Sequence, residues 1–350
     1  MRAFRLPGWK TEPELVDVPE PEPGSADVVI KVGGAGACHS DLHLMHDFDE
    51  SAPLMWAPPF TLGHENAGWV HEVGSAVSGI EVGQPVGVYG PWGCGRCTAC
   101  LSGFETYCSN PAAAPAPGGG AGLGLDGGMA DYMLVRDAER HLVPLPDGLG
   151  PADAAPLTDA GLTPYHAVAR SWPKLRPSAT AVVIGVGGLG HLGVQILKQT
   201  TGARVIAVDQ RQEALDLATQ MGADEVLPSD ENAGETIKEM TGGVGAEVVL
   251  DFVGVDATLT LAAAAVAVLG DLTVVGIGGG TLPFGFFSVP YEVSVQTTYW
   301  GGRAELAEVF ELASRGLLTP KVTRYSLDDA AQAYHDLESG HVQGRAVIVP

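Results

Sequence analysis

Short apolar runs recur along most of the chain, and the pattern between them changes near residue 157. Before that point, runs rich in β-branched residues at 28–32, 67–73 and 85–89 are separated by Gly/Pro turns, which predicts a β-rich domain. After it, strand-like runs alternate with helical patterns, which predicts a doubly wound parallel sheet. These later strand-like runs cover residues 181–184, 205–208, 225–227, 248–250, 272–275 and 293–297.

The end of the chain combines both patterns. Helical periodicity covers 304–317 and 328–338, and one apolar strand follows at 344–349, which we expect to return to the first domain. The fold class is therefore predicted as α/β, with residues 157–298 forming a Rossmann-type domain between the two parts of a domain made of 1–156 and 299–350. The most apolar run, 259–269, is too short to span a bilayer and is predicted to be a buried helix.

The stretch 181–209 predicts a nucleotide-binding unit. A buried strand leads into Gly185, Gly187 and Gly190, spaced as G-x-G-x-x-G, and a second strand ends on Asp209. The three glycines suit, in order, a tight turn, close approach of a pyrophosphate, and close packing of helix and strand. Asp209 can accept hydrogen bonds from a ribose diol and repels a 2′-phosphate, which favours NAD over NADP. The alternative is a glycine-rich turn of another α/β protein, such as a methyltransferase.

Composition narrows the class of protein. The 350 residues are 45% hydrophobic and 17% charged, which is typical of a folded globular chain with room for two domains. The net charge of −23 argues against nucleic acid or an anionic membrane as a partner. The first residues lack the apolar segment of a signal peptide, so we expect a soluble, cytoplasmic protein.

Four of the five cysteines are crowded into residues 94–108. Cys94, Cys97, Cys100 and Cys108 have spacings that can surround one ion tetrahedrally and leave no open position, which describes a structural zinc site. An iron–sulfur cluster is the main alternative, although the C-x₃-C-P ending of ferredoxin motifs is missing.

Two further clusters hold residue types that bind metals. The first is the block 38–43, in which Cys38 is followed by histidine, serine and aspartate, and the second is Gly63-His64-Glu65. Each could supply a metal ligand with its supporting groups. Each could equally be structural, as a buried cysteine in a turn or as a satisfied histidine.

In this order, and together with the segments 156–161 and 299–301, these clusters resemble the zinc-dependent medium-chain alcohol dehydrogenases. Among these, the chain is most similar to the bacterial NAD-dependent secondary-alcohol dehydrogenases. The resemblance implies a GroES-like catalytic domain, with a structural zinc lobe at about 94–108, interrupted by a Rossmann domain. It also implies an alcohol or ketone substrate, NAD, two zinc ions per chain, and a homodimer or homotetramer.

The resemblance further implies a catalytic zinc held by Cys38, His64 and Asp159, with a fourth position open for substrate. Many animal and plant members have a cysteine where this chain has Asp159, whereas an aspartate is found in the bacterial secondary-alcohol branch. Glu65 corresponds to a glutamate that can approach the metal, and Asp41 to the acid that receives the second N–H of His64. The alternative for Asp159 is a helix N-cap.

A mechanism follows from the same resemblance. Zinc lowers the pKa of the alcohol, and the carbinol hydride passes to the nicotinamide. Ser40 corresponds to the hydroxyl that takes the alcohol proton, and His43 to a relay that reaches solvent. The alternative for His43 is a surface histidine.

Other positions follow by the same correspondence. The cofactor-binding residues implied are His39, Thr163, Gly185, Gly187, Gly188, Leu189, Gly190, Asp209, Arg211, Val253, Val275 and Ile277. The substrate-pocket residues implied are Trp56, Leu123, Phe286, Tyr299 and Trp300, of which the aromatic ones could equally serve packing.

Three alternative functions stay open at this point. One is a primary-alcohol or polyol dehydrogenase of the same family. Another is a zinc-free quinone or enone reductase, a class that lacks the cysteine lobe and the Cys/His/Asp set. The third is a non-catalytic scaffold that binds zinc and NAD.

Overall fold

The computed structural model describes residues 1–52 and 54–350, and the chain divides into two compact units. Unit 1 comprises Met1–Leu162, Trp300–Gly316 and Pro320–Pro350, and unit 2 comprises Thr163–Tyr299 and Leu317–Thr319. The functional domain limits, 1–156 with 299–350 and 157–298, stay predictions, because compactness alone does not define a functional domain.

Short strands make up most of unit 1, and longer alternating strands and helices make up unit 2. The strands are β1 Arg2–Leu6, β2 Glu14–Asp17, β3 Val28–Ala37, β4 Phe60–Thr61, β5 Glu65–Val73, β6 Pro85–Val88, β7 Gly120–Ala121, β8 Gly124–Leu125, β9 Tyr132–Val135, β10 Leu142–Pro144, β11 Thr180–Ile184, β12 Arg204–Asp209, β13 Glu225–Pro228, β14 Ala246–Asp251, β15 Val266–Val274, β16 Ser294–Thr297, β17 Val322–Ser326 and β18 Arg345–Val349. The helices are α1 His39–His46, α2 Thr98–Leu101, α3 Ala138–His141, α4 Pro151–Ala154, α5 Leu162–Arg170, α6 Gly190–Thr200, α7 Gln212–Gln220, α8 Ala233–Met240, α9 Asp256–Ala265, α10 Arg303–Ser314 and α11 Ala330–Glu338.

The main sheet of unit 1 is organised around β3. Its order is β10-β6-β5-β3-β18-β17, and β9 also pairs with β3. Nine of the ten residues of β3 are buried, as its nearly continuous apolar sequence requires. β18 runs antiparallel to β3, with Val347 opposite Gly36, which confirms that the last strand returns to the first part of the chain. The C-terminal segment therefore lies beside the start of α1.

Unit 2 contains a parallel sheet in the order β13-β12-β11-β14-β15-β16. Numbered within the unit, this order is 3-2-1-4-5-6, that of a doubly wound nucleotide-binding fold. Its central strands are buried on both faces, and Val182, Ile206, Val249 and Leu272 belong to one apolar core. The α/β class is confirmed, and the carboxyl ends of β11 and β12 carry the glycine-rich turn and Asp209.

The prediction of one buried helix over 259–269 is wrong in its second half. Helix α9 ends at Ala265, and β15 begins at Val266, which pairs with Ala246 of β14. Leu269 has a left-handed φ of 63°, which a helix cannot accommodate, and it is 58% exposed. An alanine-rich helix followed directly by a strand gives one apolar run, so periodicity alone did not separate the two elements.

Within residues 1–52 and 54–350, no helix combines the length and the apolar character needed to cross a membrane.

Candidate active site

Four side chains from three segments of unit 1 converge on one point. Cys38 follows β3 and precedes α1, His64 precedes β5, and Glu65 is the first residue of β5. Because β3 and β5 pair antiparallel, with Gly36 opposite Glu65, the end of one strand lies beside the start of the other. Asp159 follows the short turn 155–158 that leads toward α5. Cys38, His64, Glu65 and Asp159 are called the mixed-ligand cluster below.

The mixed-ligand cluster has the donors of a zinc site. One ligand atom from each of its four residues lies within 4.8 Å of the others, and Asp159 Oδ2 is 3.5 Å from His64 Nε2. Cys38, His64 and Glu65 are buried, and Asp159 is partly exposed. Thiolate, imidazole and carboxylate bind Zn²⁺ at about 2.0–2.3 Å, so small adjustments of these side chains would bring them to one ion. The residues present therefore fit the metal that the resemblance implies. Helix α5 begins only at Leu162, so Asp159 is not its N-cap.

Asp41 lies behind His64, on the side away from the cluster. Its Oδ1 is 3.1 Å from His64 Nδ1, and its Oδ2 accepts a hydrogen bond from the Cys38 N–H at 3.0 Å. A carboxylate at Nδ1 favours the tautomer that carries the proton there, which leaves Nε2 with its lone pair facing the other ligands. The contact that the resemblance implied between these two residues is present.

Glu65 forms a buried ion pair with Arg345, the first residue of β18. Their side chains are 0% and 2% exposed. A Cβ atom on Gly36 would overlap the Glu65 carboxylate, so the glycine leaves the space that this carboxylate occupies. Burial raises the pKa of Glu65, and the Arg345 guanidinium opposes that shift.

The surrounding charges prepare the mixed-ligand cluster for a cation. Burial alone would raise the pKa of Cys38, but Arg345 and His64 lower it to about 7. Burial alone would lower the pKa of His64, but the carboxylates beside it, Asp41 first, raise it well above its ordinary value. Without a metal, the site therefore tends to hold a proton. Zinc would have to displace that proton to bind.

Trp300 forms an apolar wall beside His64. Its ring centroid lies 6.0 Å from that of His64, at an interplanar angle of 87°, and its side chain is buried. A Cβ atom on Gly90 would overlap the indole, so the ring packs directly on the backbone there. The backbone of Trp300 is left-handed, with a φ of 55°, a conformation that non-glycine residues rarely adopt.

Helix α1 carries the two predicted proton-transfer residues. Ser40 Oγ lies 3.5 Å from Cys38 Sγ, next to the mixed-ligand cluster. His43 comes three residues later, on the same side of the helix, and its side chain is 32% exposed. Its Nδ1 is hydrogen-bonded to the Asp47 carboxylate. The pair thus extends from the buried cluster toward solvent.

The four cysteines of residues 94–108 form the second cluster, and none of them is disulfide-bonded. Sulfur–sulfur distances are 3.4 Å between Cys97 and Cys100, and 4.0 Å for Cys94–Cys100 and Cys97–Cys108. A tetrahedral zinc with Zn–S bonds of 2.3 Å separates its sulfur atoms by about 3.8 Å. The arrangement fits one ion more closely than an iron–sulfur cluster, which places several iron atoms between its cysteines.

Glu105 ties the four-cysteine cluster to the body of unit 1. It accepts hydrogen bonds from Gly93 N–H at 2.7 Å and from the Arg140 guanidinium at 2.6 Å, and it lies 3.2 Å from His141 Nε2. Burial alone would raise the pKa of Glu105, but His141 and Arg140 lower it to about 2. The carboxylate is therefore ionised at neutral pH and links the start of the cysteine segment, at Gly93, to helix α3.

The glycine-rich turn of unit 2 joins the end of β11 to the start of α6. Gly185 has a φ of 85°, and a Cβ atom on Gly190 would overlap the Gly185 carbonyl oxygen, so the fold itself requires both glycines. A Cβ atom on Gly187 would meet no atom within 4 Å. Packing within the protein does not explain this glycine, whereas a pyrophosphate lying against the backbone would. The turn therefore fits NAD.

Asp209 has a structural role that sequence reasoning did not anticipate. Its Oδ2 accepts the Val186 N–H at 2.8 Å, and its Oδ1 accepts the Arg211 N–H at 2.9 Å. The carboxylate thus holds the glycine-rich turn to the end of β12. An ionised carboxylate can accept about four hydrogen bonds, so acceptor sites remain for ribose hydroxyls.

The remaining predicted cofactor residues of unit 2 include five that follow the carboxyl ends of β11, β14 and β15. These are Gly188, Leu189, Val253, Val275 and Ile277. Thr163 lies in α5, and Arg211 precedes α7. His39 is the first residue of α1 in unit 1 and is exposed. Their contacts with a cofactor stay predictions.

The predicted pocket residues divide between the units. Trp56, Leu123 and Trp300 belong to unit 1, and Phe286 and Tyr299 belong to unit 2. Trp56 packs edge-on against Phe60, with ring centroids 5.7 Å apart. The Trp300 ring lies beside His64 of the mixed-ligand cluster. The other assignments stay predictions.

Comparison with known proteins gives the family. The model of the alcohol dehydrogenase GroES-like domain matches residues 24–147, and that of the zinc-binding dehydrogenase matches residues 188–315. The chain is 36% identical to an NAD-dependent alcohol dehydrogenase of Sulfurisphaera tokodaii, covering 100% of both chains. It is 33% identical to a D-arabinose 1-dehydrogenase (NADP(+)) of Saccharolobus solfataricus, covering 96% of this chain and 94% of that protein. The crystal structure of the alcohol dehydrogenase from Aeropyrum pernix aligns with a TM-score of 0.90 and 37% identity, covering 100% of both chains.

The chain therefore belongs to the zinc-type medium-chain alcohol dehydrogenase family. It is an oxidoreductase with a GroES-like domain and a Rossmann-like domain. The family and fold class implied by the resemblance are confirmed.

Sequence reasoning missed two residues around the mixed-ligand cluster, and both come from the C-terminal segment. Arg345 pairs with Glu65, and the Tyr334 hydroxyl donates to Asp41 Oδ2 at 2.8 Å. An arginine at the start of an otherwise apolar strand indicates a buried acidic partner, but it does not identify that partner. Nothing in the sequence distinguishes Tyr334 from other helical tyrosines.

Proposed function

We propose that this chain binds two zinc ions and NAD, and that it transfers a hydride between NAD and secondary alcohols or their ketones. The observation that carries the proposal is the mixed-ligand cluster, in which thiolate, imidazole and carboxylate donors meet beside the hydroxyl of Ser40. A non-catalytic scaffold would need neither this donor set nor the adjoining Ser40 and His43.

In this proposal the two clusters have different roles. Cys38, His64 and Asp159 would hold a catalytic zinc and leave one position open for substrate, while Glu65 is neutralised by Arg345. The four cysteines would hold a closed, structural zinc. Elemental analysis should find two equivalents, and a gentle chelator should remove one of them faster, together with activity. One equivalent, or iron in place of zinc, would contradict the proposal.

When bound, zinc supplies Lewis-acid polarisation of the alcohol oxygen, and NAD supplies the hydride acceptor. The protein's own residues then handle the proton. Ser40 Oγ would take up the alcohol proton while its own hydroxyl proton passes on toward His43. Because Asp47 binds Nδ1 of His43, Nε2 is the atom left to take up the proton and release it to solvent.

Secondary-alcohol preference is supported by the apolar surface next to the metal ligands. Trp300 presents a buried indole to His64, and such a wall favours carbon substituents over hydroxyls. Each buried methylene contributes about 0.8 kcal/mol, whereas each hydroxyl left unpaired costs about 1–3 kcal/mol. A sugar or polyol dehydrogenase is the second candidate, because one relative is named a D-arabinose 1-dehydrogenase.

The test compares catalytic efficiencies for propan-2-ol, butan-2-ol, 1-phenylethanol, ethanol, sorbitol and D-arabinose, each with NAD and with NADP. We expect secondary alcohols with NAD to lead the series. Trp300→Ala should shift preference toward bulkier ketones, whereas Trp69→Ala, which removes a half-exposed tryptophan of β5, should not. If ethanol, sorbitol or D-arabinose leads, the substrate assignment is wrong. That result would not bear on the proposal that the two clusters bind zinc.

Self-association is also part of the proposal. Strand β16 is at one edge of the sheet in unit 2, and the segment before it exposes Phe284, Phe287 and Tyr291. An exposed sheet edge next to large apolar side chains favours an interface between copies of the chain. Light scattering coupled to size exclusion should give the mass of a dimer or tetramer, and a monomer mass would contradict this part.

A further inference from the structure

The side chain of Tyr334 is buried directly behind the mixed-ligand cluster. It comes from α11, 293 residues after Asp41, and is 5% exposed. Its hydroxyl donates to Asp41 Oδ2 at 2.8 Å and lies 3.4 Å from Met129 Sδ. The C-terminal segment therefore supplies a hydrogen-bond donor to Asp41, which in turn contacts His64.

This hydroxyl completes a chain of hydrogen bonds that ends at His64. Asp41 Oδ2 accepts from both Tyr334 and the Cys38 N–H, while Oδ1 bonds His64 Nδ1 at 3.1 Å. With both oxygens engaged, the carboxylate is fixed in position and in rotation. The plane of the imidazole, and so the direction of Nε2, follows from that orientation.

We propose that Tyr334 is a positioning residue of the catalytic zinc site: through Asp41, its hydroxyl holds His64 in the orientation that presents Nε2 to the metal. This inference rests on the proposed catalytic zinc. It gives helix α11 a role in retaining the metal, although no proposed zinc ligand lies on that helix.

The hydroxyl and the ring of Tyr334 have separable roles. The ring stacks on Phe4, with centroids 6.1 Å apart and an interplanar angle of 15°, and a phenylalanine would keep that packing. Burial, and then the Asp41 carboxylate, raise the pKa of Tyr334 well above its ordinary value, so the hydroxyl stays protonated as a donor. Tyr334→Phe therefore removes the hydrogen bond to Asp41 and the weaker contact with Met129 Sδ, and keeps the ring packing.

Tyr325 offers a matched control. Its hydroxyl also donates to a carboxylate, Asp336 Oδ2, at 2.9 Å, but that carboxylate lies on α11 and does not bond a zinc ligand. Tyr325→Phe thus removes the same kind of hydrogen bond from the same part of unit 1. Comparing the two variants separates an effect on His64 from a general loosening of the C-terminal segment.

The experiment follows zinc release from the two-zinc holoenzyme to a chromogenic chelator. Tyr334→Phe should accelerate the faster phase, from the mixed-ligand cluster, about tenfold, at the lower end of the effect of removing partners of metal ligands. The slower phase, from the four-cysteine cluster, should be unchanged and serves as an internal check on folding. Tyr325→Phe should leave both phases within about twofold of wild type.

A double-mutant cycle tests the route through Asp41. If Tyr334 acts through that carboxylate, Tyr334→Phe should add little in an Asp41→Asn background. A faster phase unchanged in Tyr334→Phe, an equal acceleration in Tyr325→Phe, or full additivity with Asp41→Asn would each overturn the inference. A wild-type protein without a second zinc would refute the proposed function and this inference together, and is distinguished by its metal content.

Discussion

Replacing Arg345 with methionine tests how much the buried ion pair contributes to stability. Arg345 and Glu65 are at most 2% exposed, so the variant would leave a carboxylate without its counter-charge in a region closed to water. Breaking a buried pair in this way destabilises by about 3–5 kcal/mol. Unit 1 has about 200 residues, for which each kcal/mol changes the unfolding midpoint by about 2–4 °C. We therefore expect the transition of unit 1 to fall by about 6–20 °C at alkaline pH, where Glu65 is ionised.

The loss should depend on pH with a defined sign. Burial already raises the pKa of Glu65, and removing the arginine removes the group that opposes this shift. The pKa of Glu65 is about 8 with the arginine present and rises further without it, so wild type and variant lose stability in parallel up to about pH 8 and diverge above it. Arg345→Met should therefore be nearest to wild type in acid and most destabilised at alkaline pH.

The assay is calorimetric unfolding of zinc-loaded protein from pH 5 to 9. Glu65→Gln in the Arg345→Met background should recover most of the loss, because position 65 then carries no charge that lacks its partner. Arg324→Met is the matched control, since its pair with Asp153 is about half-exposed and should contribute less than about 1 kcal/mol. A loss below about 3 °C at pH 9, or no recovery in the double variant, would refute the reasoning.

Three further predictions concern the remaining parts of the molecule. Cys97→Ser should lower the zinc content by one equivalent and impair folding, as measured by circular dichroism, whereas Asp159→Asn should keep the fold and reduce turnover. The reverse pattern would mean that the four-cysteine cluster is catalytic and the mixed-ligand cluster structural. The lowering of the Glu105 pKa to about 2 corresponds to about 3 kcal/mol of folding stability, which is present above pH 4.5 and is lost as the pH falls toward 2. Glu105→Gln should therefore destabilise the protein at pH 7 and make its unfolding less dependent on acid pH. Asp209→Asn should reduce the preference for NAD over NADP, measured as the ratio of their KM values. It should also weaken the binding of both cofactors, since the Val186 N–H loses its carboxylate acceptor. A wild-type preference for NADP would contradict this prediction.

What the sequence by itself determined was local. Apolar periodicity predicted the strands and helices, the spacing Cys94–Cys97–Cys100–Cys108 predicted a closed metal site, and the glycine spacing predicted the turn before α6. Each of these features depends on residues within about 20 positions, so a single strand, turn or helix expresses it. Where two adjacent elements were equally apolar, at 259–269, the same signal failed, because burial does not separate a helix from a strand.

The tertiary structure alone decided the contacts between distant segments. Arg345 is 280 residues from Glu65, and Tyr334 is 293 residues from Asp41. Their positions depend on the pairing of β18 with β3 and on how α11 packs, and neither is encoded in a local pattern. Asp159 was placed by resemblance, and only its 3.5 Å distance to His64 shows that it meets the cluster. The structural role of Asp209 likewise depends on the tertiary structure. The parallel strands β11 and β12 end at the same edge of the sheet, which brings the Asp209 carboxylate to the glycine-rich turn.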